Sequence, residues 1–483
     1  MSESFVTYAP MLPEFIIILG AIVLLMYGVF GSETQTEAVN VGWLSIIVLI
    51  TATVALLWAV DGSQSLFLGA FKNDSFARFM KILAIAGSIC ALMLAFDDFS
   101  DHGIMKFEYP VLVMFATAGM MVMISAGDLI ALYIGLELQS LALYVMAAYR
   151  RDSVRSSEAG LKYFVLGALS SGILLYGASL LYGFAGSTDF QVIANAAKGT
   201  DASVNLWLIF GLVFLMVGIS FKISAVPFHM WTPDVYEGSA TPVTAFFATA
   251  PKVAAIALLV RVSMSAFPGI APQWQQIITF IAIASMLFGA FAAIGQTNIK
   301  RLMAYSSISN VGFALVGLAA NTAEGVQGVL IYMSIYVVMT LGVFASIVCM
   351  RRDGQSLEDI HELSGLAKNN LPLAFGLMIL MFSLAGIPPL VGFFAKYHVL
   401  LAAVQAELYG LAIFGVLASV IGAYYYLRII KIMFFDDSRD PFQPVRFNPG
   451  VIILTSALLM LVGVTILGPF VDAALIAART LTL

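Results

Sequence analysis

Five ionisable residues lie inside long apolar stretches of this sequence. They are four lysines and one glutamate: Lys162, Lys222, Lys252, Lys396 and Glu137. A lysine in the middle of a membrane costs about 2.5–3.5 kcal/mol on insertion scales, so such residues face a bundle interior or water. Removal from water can bring the pKa of a lysine towards neutrality, whereas an arginine keeps its proton. Lysines placed in this way are suited to loading, passing on and releasing protons.

Glu137 belongs to a polar face of its predicted helix. Tyr133, Glu137, Ser140 and Tyr144 recur at i, i+4, i+7 and i+11, so they line one side of that helix. A buried carboxylate beside a lysine keeps the lysine charged, and its movement away lets the proton leave. The alternative is a static ion pair, which apolar packing could replace at little cost. We interpret Glu137 as the partner of a proton-carrying lysine, with Tyr133 and Tyr144 as candidate relays.

Lys162 is placed differently from the other three lysines. It lies near the beginning of its predicted helix, four residues after Glu158. An i,i+4 ion pair close to the membrane interface is therefore the alternative to a role in proton transfer.

Prolines surround the remaining lysines. Four prolines between positions 227 and 251 flank Lys222 and Lys252, and a Pro-Pro pair precedes Lys396. Proline removes a backbone donor and interrupts a helix, and irregular backbone at membrane depth persists only inside protein or along a hydrated cavity. A proline alone is often only a packing kink. Its repeated occurrence beside lysine predicts broken helices of the kind that form transporter sites.

Two histidines accompany these predicted breaks. His229 and His398 have side chains that titrate near neutral pH, so they are candidate proton relays. The alternative for each is a hydrogen-bonded residue at a helix end. His102 and His361 fall in predicted loops, where we expect no specific role.

Hydropathy predicts the helices that hold these residues. The chain of 483 residues is 61% hydrophobic and 11% charged, whereas a soluble domain is about 25% charged. Such a composition predicts an all-α integral membrane protein without a soluble domain. Fourteen stretches are apolar and long enough to span: 11–30, 41–60, 79–97, 109–126, 129–149, 158–184, 205–228, 241–262, 273–294, 302–320, 325–350, 371–400, 406–434 and 449–475.

The nineteen basic residues other than the four lysines named above are assigned to the loops and tails, where they are unevenly distributed. Numbered by the helices they join, the odd loops hold thirteen of them, whereas the even loops and the tails hold six: Lys72, Arg78, Lys81, Lys198, Arg261 and Arg479. The positive-inside rule then predicts cytoplasmic odd loops and both termini on the outer side. No arginine is assigned to a span.

Cofactor signals are missing from the sequence. Cys90 and Cys349 lie far apart in apolar runs, whereas an iron–sulfur cluster normally needs four thiolates, or two with two histidines. There is neither a GxGxxG after a strand nor a GxxxxGK[ST] motif. The small net charge of −5 is scattered in loops, which argues against a nucleic-acid partner. We expect no redox centre, metal or nucleotide on this chain, so its driving force comes from elsewhere.

Several long motifs resemble a known family. FKISAVPFHMWTPDVYEGSATPVTAF followed by PKVAA resembles the signature of the antiporter-like subunits of respiratory complex I. EAGLKYFVLGALSSGILLYG and SLAGIPPLVGFFAKYHVL are similar to the subunit N branch of bacterial NADH-quinone oxidoreductases, whose mitochondrial counterpart is subunit 2. QTNIKRLMAYSSISNVG is also typical of the family. The resemblance covers at least residues 128–400 and keeps the motifs in order.

The resemblance implies a single membrane domain, 1–483, of about fourteen helices with broken helices 7 and 12. It contains two inverted five-helix repeats, 109–262 and 273–434, and a C-terminal helix, 449–475. It also implies a midplane proton channel carried by five residues: Glu137, Lys162, Lys222, Lys252 and Lys396. One departure is Asn310, which stands where sister subunits commonly have a histidine and which cannot titrate.

The resemblance further implies a bacterial inner-membrane subunit that moves protons, driven by redox chemistry in partner subunits that carry FMN and iron–sulfur clusters. Its expected partners are membrane lipid, a sister antiporter-like subunit and small membrane subunits. The nearest alternative is a subunit of a multi-subunit sodium/proton antiporter. A structural membrane scaffold and a stand-alone solute transporter are further alternatives.

Overall fold

The computed structural model describes residues 8–31, 34–58, 64–198 and 205–482. These residues are almost entirely helical. In the described part of the chain the α-helices are α1 Leu12–Phe30, α2 Gln35–Trp58, α3 Ser75–Asp101, α4 Glu108–Ile124, α5 Leu129–Ala147, α6 Val154–Ala185, α7 Phe190–Lys198, α8 Leu206–Lys222, α9 Trp231–Gly238, α10 Thr241–Ala248, α11 Ala250–Ala266, α12 Ala271–Ile294, α13 Ile299–Ala319, α14 Ala323–Val348, α15 Leu366–Asn369, α16 Leu371–Ala385, α17 Val391–Gln405, α18 Tyr409–Phe435, α19 Phe447–Val462 and α20 Leu467–Thr482.

Two short antiparallel hairpins lie in the connections. Strand β1 (Gln64–Leu66) pairs with β2 (Phe71–Asn73), with Gln64 opposite Asn73. Strand β3 (Arg351–Arg352) pairs with β4 (Gln355–Ser356). Short 3₁₀ turns are found at Ala9–Met11, Phe67–Gly69, Pro268–Ile270, Ile360–Leu363 and Gly463–Ile466. The first hairpin leads directly into α3, whose N-cap Asp74 accepts a hydrogen bond from the Ala77 amide.

Eleven helical segments of the described residues are long and apolar enough to cross a membrane, and four apolar helices are shorter: α4, α8, α16 and α17. The prediction of an all-helical membrane chain is therefore confirmed. The core is formed by the segment from α10 to α11, which is wholly buried, together with α13 and α14. Helices α1, α2 and α18 expose most of their apolar side chains on the outside, as lipid-facing helices do.

Close packing of helix pairs depends on glycine. A Cβ atom at Gly119 of α4 would lie 2.5 Å from the Gln139 amide nitrogen of α5, and one at Gly289 of α12 would lie 2.7 Å from the Ser309 amide nitrogen of α13. Each pair can approach only because a small residue brings the two backbones together.

Several predicted boundaries differ from the structure. The stretch 371–400 is divided between α16 and α17, and 241–262 is divided between α10 and α11. The helix expected over 205–228 ends at Lys222, and the one expected over 449–475 is divided by the 3₁₀ turn Gly463–Ile466. The predicted loop 185–204 contains helix α7, which buries Phe190 and Ile193. Hydropathy detects apolar length, but it does not detect where a backbone turn interrupts that length.

Two basic residues assigned to loops lie inside helices. Lys81 belongs to α3 and Arg261 to α11, and both side chains are fully buried. The expectation that no span holds an arginine was therefore wrong. Each lies within three residues of the limit of its predicted stretch, 79–97 or 241–262, and was counted with the adjoining loop, whereas the helix continues beyond that limit.

Candidate functional site

Lys222 is the last residue of α8, and its ammonium group is buried against α5. The Nζ atom donates hydrogen bonds to Ser140 Oγ at 2.7 Å and to the Tyr144 hydroxyl at 3.1 Å. The C-terminal end of α8 is held by Trp231, whose indole N–H donates to the Phe221 carbonyl at 2.9 Å. Lys222 thus lies at the C-terminal end of one helix and contacts the polar face of a neighbouring helix.

Glu137 is half-buried on the same face of α5 as Ser140 and Tyr144. Its Oε1 atom is buried without a hydrogen-bond partner among the described residues. The hydrogen bonds of Lys222 go to the two hydroxyl groups instead. Tyr133, one turn before Glu137, is also half-buried. The structure therefore brings the predicted polar face of α5 to Lys222, with Glu137 beside it rather than in direct contact.

Lys252 lies just after the interruption between α10 and α11. Thr249 has φ −120° and ψ −92°, which is non-helical, and Pro251 is the second residue of the next helix. The Lys252 Nζ atom is buried, has no hydrogen-bond partner in the described part of the chain, and lies 5.7 Å from the centre of the Tyr236 ring. A buried ammonium group without a partner is unfavourable. The site is therefore suited to an amine that exchanges its proton through water.

Lys396 occupies the gap between α16 and α17. Helix α16 ends at Gly386, which adopts φ 83°, and its last carbonyl groups lack helical partners. Lys396 Nζ donates to the Leu384 and Ala385 carbonyls at 3.1 and 3.0 Å and to Ser419 Oγ at 3.0 Å. The negative end of a helix dipole stabilises a cation at this position.

A cluster of hydroxyl and amide groups lies between α13, α14 and α18. This hydroxyl cluster consists of Ser306, Ser307, Asn310, Tyr332, Tyr336 and Tyr426. The Ser306 and Tyr426 hydroxyls are 2.5 Å apart, and the Ser307 and Tyr336 hydroxyls are 2.6 Å apart. Asn310 accepts from the Tyr332 hydroxyl at 2.7 Å.

The two ends of the hydroxyl cluster approach two of the lysines. Tyr236, whose ring lies under Lys252, packs near Ser307 and Tyr336. At the other end, the Tyr332 ring stacks on Phe313, 6.3 Å between centres, and Lys396 Nζ lies 4.9 Å above Phe313. Sequence reasoning singled out Asn310 but not the tyrosines, because each contributes one polar atom to an otherwise apolar helix.

Lys162 is half-exposed, with 41% of its side chain accessible. It forms ion pairs with Glu158 at 2.7 Å and with Asp234 at 2.7 Å. The structure therefore contains the i,i+4 pair and adds an acidic partner from α9. It does not bring Lys162 to the other three lysines.

The two candidate histidines are located near the breaks. His229 lies between α8 and α9, and its Nδ1 atom is buried without a partner among the described residues. Its ring packs against Phe288 at 4.5 Å. His398 Nδ1 is 2.7 Å from the Phe394 carbonyl of its own helix. The hydrogen bond of His398 agrees with a structural role, although this residue lies in the middle of α17 and not at a helix end.

Two buried ion pairs were missed by the sequence analysis. Arg261 binds Asp74 through two hydrogen bonds of 2.8 and 2.9 Å and donates a third to the Ile124 carbonyl. Lys81 lies 2.5 Å from Glu14. Burial alone opposes ionisation of Asp74, but the Arg261 guanidinium beside it holds the pKa of that carboxyl below its usual value.

Within the described residues, no three or more His, Cys, Asp or Glu side chains come together in a way that could hold a metal ion.

Comparison with known proteins shows which family shares this arrangement. Residues 126–422 match the family described as NADH:quinone oxidoreductase/Mrp antiporter, TM. The chain is 58% identical to NADH-quinone oxidoreductase subunit N 1 of Rhizobium meliloti over 97% of both chains. It is 56% identical to NADH-quinone oxidoreductase subunit N of Methylobacterium nodulans over 98% of this chain and 97% of that one.

Solved structures with the same fold include chains from different membrane assemblies. A chain of respiratory complex I from Thermus thermophilus is 30% identical, with a TM-score of 0.81 over 96% of this chain and 99% of that one. A chain of the Mrp complex from Dietzia is 22% identical, with a TM-score of 0.87 over 99% and 98%. The second similarity concerns the fold alone. The match over residues 126–422 and the near full-length identity to the two subunit N proteins show that this chain belongs to the NADH-quinone oxidoreductase subunit N family.

Proposed function

We propose that this chain moves protons across a bacterial inner membrane as a membrane-arm subunit of NADH-quinone oxidoreductase. The observation that carries the proposal is the placement of three buried lysines, Lys222, Lys252 and Lys396, each at a helix discontinuity. Intramembrane ionisable residues facing the protein interior mark ion pathways.

The proposed path has four steps. Glu137 approaches or leaves Lys222, which changes the tendency of that lysine to hold its proton. The proton passes to Lys252 through bound water and then along the hydroxyl cluster to Lys396. Asn310 cannot titrate, so the neighbouring Tyr332 and Tyr426 hydroxyls carry the relay past it. Lys396 exchanges the proton with the opposite side of the membrane.

The energies involved are compatible with this scheme. Moving one proton against 100 mV requires about 2.3 kcal/mol. A swing of about two pKa units in a carrier supplies about 2.7 kcal/mol. Separating a carboxylate from a lysine in a medium of low dielectric constant produces changes of this size. A modest rearrangement beside Lys222 is therefore sufficient to drive a step.

We further propose fourteen spans in one membrane domain, 1–483, with broken helices 7 and 12 and both termini on the periplasmic side. Two inverted five-helix repeats, 109–262 and 273–434, precede the C-terminal segment 449–475. The close approach of α4 to α5 at Gly119 and of α12 to α13 at Gly289 supports this division, since both helix pairs open a repeat. In this division Lys222 and Lys396 belong to the equivalent broken helices of the two repeats.

The chain itself carries no cofactor in this proposal. FMN and iron–sulfur clusters belong to partner subunits, and the redox energy reaches this chain through contacts with neighbouring membrane subunits, including a sister antiporter-like subunit. Support comes from the names of the relatives and from the Thermus thermophilus assembly, which is a respiratory complex I. Nucleic acid has no role, and lipid covers the outer helices.

The central test is Lys222→Ala in the assembled complex reconstituted into vesicles. We expect NADH-driven proton transport to fall at least about tenfold, because the path loses its first carrier. Lys198→Ala, at the exposed end of α7, is the matched control and retains full transport. Undiminished pumping by Lys222→Ala would remove this lysine from the mechanism.

A sodium/proton antiporter subunit is the second candidate, because the Mrp chain from Dietzia shares the fold over nearly its whole length. Purification of this chain from its native membrane distinguishes the two functions. Recovery together with iron–sulfur subunits supports the oxidoreductase, whereas recovery of a complex without electron carriers supports the antiporter.

A further inference from the structure

Helix α9 is an eight-residue helix that touches two of the buried lysine sites. It packs against α6 and α13, and its first residue forms a hydrogen bond with the end of α8. Trp231 opens the helix, and Tyr236 lies on its second turn. A movement of α9 therefore displaces residues that contact both lysine sites.

The outer side of α9 is held by a network of ion pairs. Asp234 accepts from Lys162 Nζ through one oxygen at 2.7 Å and from the Arg301 guanidinium through the other at 2.8 Å. Arg301 also donates to Glu237 at 2.9 Å. These side chains are between one quarter and two fifths exposed, so the network lies at the surface of the chain.

The inner side of α9 reaches Lys222 through the backbone. The Trp231 indole N–H donates to the carbonyl of Phe221, the residue that precedes Lys222. Its ring stacks on Tyr163 with 4.3 Å between centres and an angle of 10°. Tyr163 follows Lys162 in α6, and its ring meets Tyr144, which accepts from Lys222, edge to face at 4.9 Å.

The same helix reaches Lys252 through an aromatic ring. Tyr236 is fully buried, and its ring lies 5.7 Å from Lys252 Nζ. The other end of α9 is fixed by Lys300, whose Nζ donates to the Ser239 carbonyl at 2.8 Å. Two basic residues of α13 and one of α6 thus hold a short helix that supports both lysine sites.

We propose that Lys162 is a positioning residue, which acts through Asp234 and Trp231 on the placement of Lys222, rather than a carrier of protons. This inference rests on the proposed function and deepens it. The ion pairs to Lys162 and Arg301 hold α9 against α6 and α13, and Trp231 transmits that position to the end of α8. Loss of the network leaves the proton carriers in place but misaligns them.

The test is a double-mutant cycle in the assembled complex reconstituted into vesicles. Lys162→Met removes the ion pairs, and Trp231→Phe removes the indole N–H while keeping a ring to stack on Tyr163. Each single change lowers NADH-driven proton transport by roughly tenfold, the effect expected from displacing a reacting group by a fraction of an ångström. If Lys162 acts through Trp231, the double variant is no slower than the slower single variant.

Two further measurements separate positioning from a loss of assembly. Lys162→Arg keeps the charge and the donors and restores transport, whereas Arg155→Met, which removes a charge from the same surface cleft without touching Asp234, leaves transport unchanged. The pH dependence of transport also shifts in Lys162→Met, because the surroundings of Lys222 change. A smaller amount of intact complex lowers the rate without moving that profile.

Three results overturn the proposal. If the loss of proton transport in the double variant equals the product of the two single losses, Lys162 acts independently of Trp231, as a proton carrier does. Full transport by either single variant removes the link between α9 and Lys222. Should Lys162→Met fail to assemble, Asp234→Leu removes the acceptor of the same bond, and an unchanged pH profile in that variant contradicts the proposal. If Lys222→Ala itself pumps normally, the proposed function fails, whereas an inactive Lys222→Ala beside normal Lys162 and Trp231 variants refutes only the positioning role.

Discussion

The Nζ atom of Lys396 lies 3.0 Å from the carbonyl oxygen of Ala385, the last residue of α16. The helix ends there because Gly386 adopts a positive φ of 83°. The turn frees carbonyl groups that would otherwise be bonded within the helix, and a lysine from the following helix takes them. A helix break therefore supplies the polar partners that make a buried ammonium group tolerable.

Substitution of Gly386 tests this arrangement. In Gly386→Ala the added Cβ would lie 3.0 Å from Lys396 Cδ and 3.3 Å from Nζ, so the ammonium must move. The left-handed conformation adds about 1–2 kcal/mol of strain for a residue with a side chain. We expect a lower melting temperature of the purified complex and slower proton transport.

The matched control for that change is Gly186→Ala at the end of α6. Gly186 also has a positive φ, of 68°, but no atom of the described residues lies within 4 Å of an added Cβ. The Gly186→Ala variant should therefore lose about as much stability as Gly386→Ala and still transport protons normally. Equal transport by both variants would show that the position of Lys396 does not matter.

Gly167→Ala displaces a partner of Lys222 without changing a polar residue. A Cβ atom there would lie 2.2 Å from the Tyr144 hydroxyl oxygen, so the ring must shift away from Lys222. We expect NADH-driven proton transport to decrease about tenfold.

Gly172→Ala, on the same helix, is the control, since its added Cβ has no neighbour within 4 Å in the part of the chain that the structure describes. A helical Gly→Ala change stabilises a helix by about 1 kcal/mol, so this variant should melt slightly higher and transport protons normally. Normal transport by Gly167→Ala as well would argue against the hydrogen bond from Lys222 to Tyr144.

Tyr426→Phe removes one hydroxyl group from the relay proposed between Lys252 and Lys396. That hydroxyl shares a hydrogen bond with Ser306 at 2.5 Å and accepts one from Asn310 at 3.4 Å. The ring volume is kept, so assembly should be normal while proton transport slows about tenfold. Tyr397→Phe serves as the comparison, because Tyr397 is largely exposed. Equal rates for the two variants would exclude the hydroxyl cluster from the path.

The Asp74–Arg261 pair predicts a stability effect rather than a transport effect. Asp74→Asn leaves the Arg261 guanidinium buried without a counter-charge, which costs about 3–5 kcal/mol. Thermal unfolding of the purified complex should move to a lower temperature. The double variant Asp74→Leu/Arg261→Met, which removes both charges, should recover most of the loss. A failure to recover would mean that the pair does more than neutralise its own charges.

The same pair gives a pH dependence of defined sign. Because Arg261 holds the pKa of Asp74 in the folded chain below its usual value, the contribution to stability is complete above the unfolded pKa of about 3.9. It decreases as the pH falls through the folded value. Asp74→Asn should therefore flatten the acid side of the stability curve. An unaltered curve would contradict this assignment.

The sequence by itself determined that the chain is a membrane protein and which lysines lie inside its apolar stretches. Charge inside an apolar stretch is detectable in one dimension because its burial is costly, and proline beside lysine indicates where the backbone departs from a helix. Lys222, Lys252 and Lys396 were identified in this way, and all three are buried at discontinuities. Long family-like motifs then predicted the family that the comparisons confirmed.

Only the tertiary structure decided which groups these lysines meet. Ser140 lies 82 positions before Lys222 in the chain, and Asp74 lies 187 positions before Arg261. The rotation of each helix about its axis and its packing partners determine such contacts, and neither property is contained in local hydropathy. For the same reason the sequence did not indicate that Lys162 pairs with Asp234 at the surface of α9.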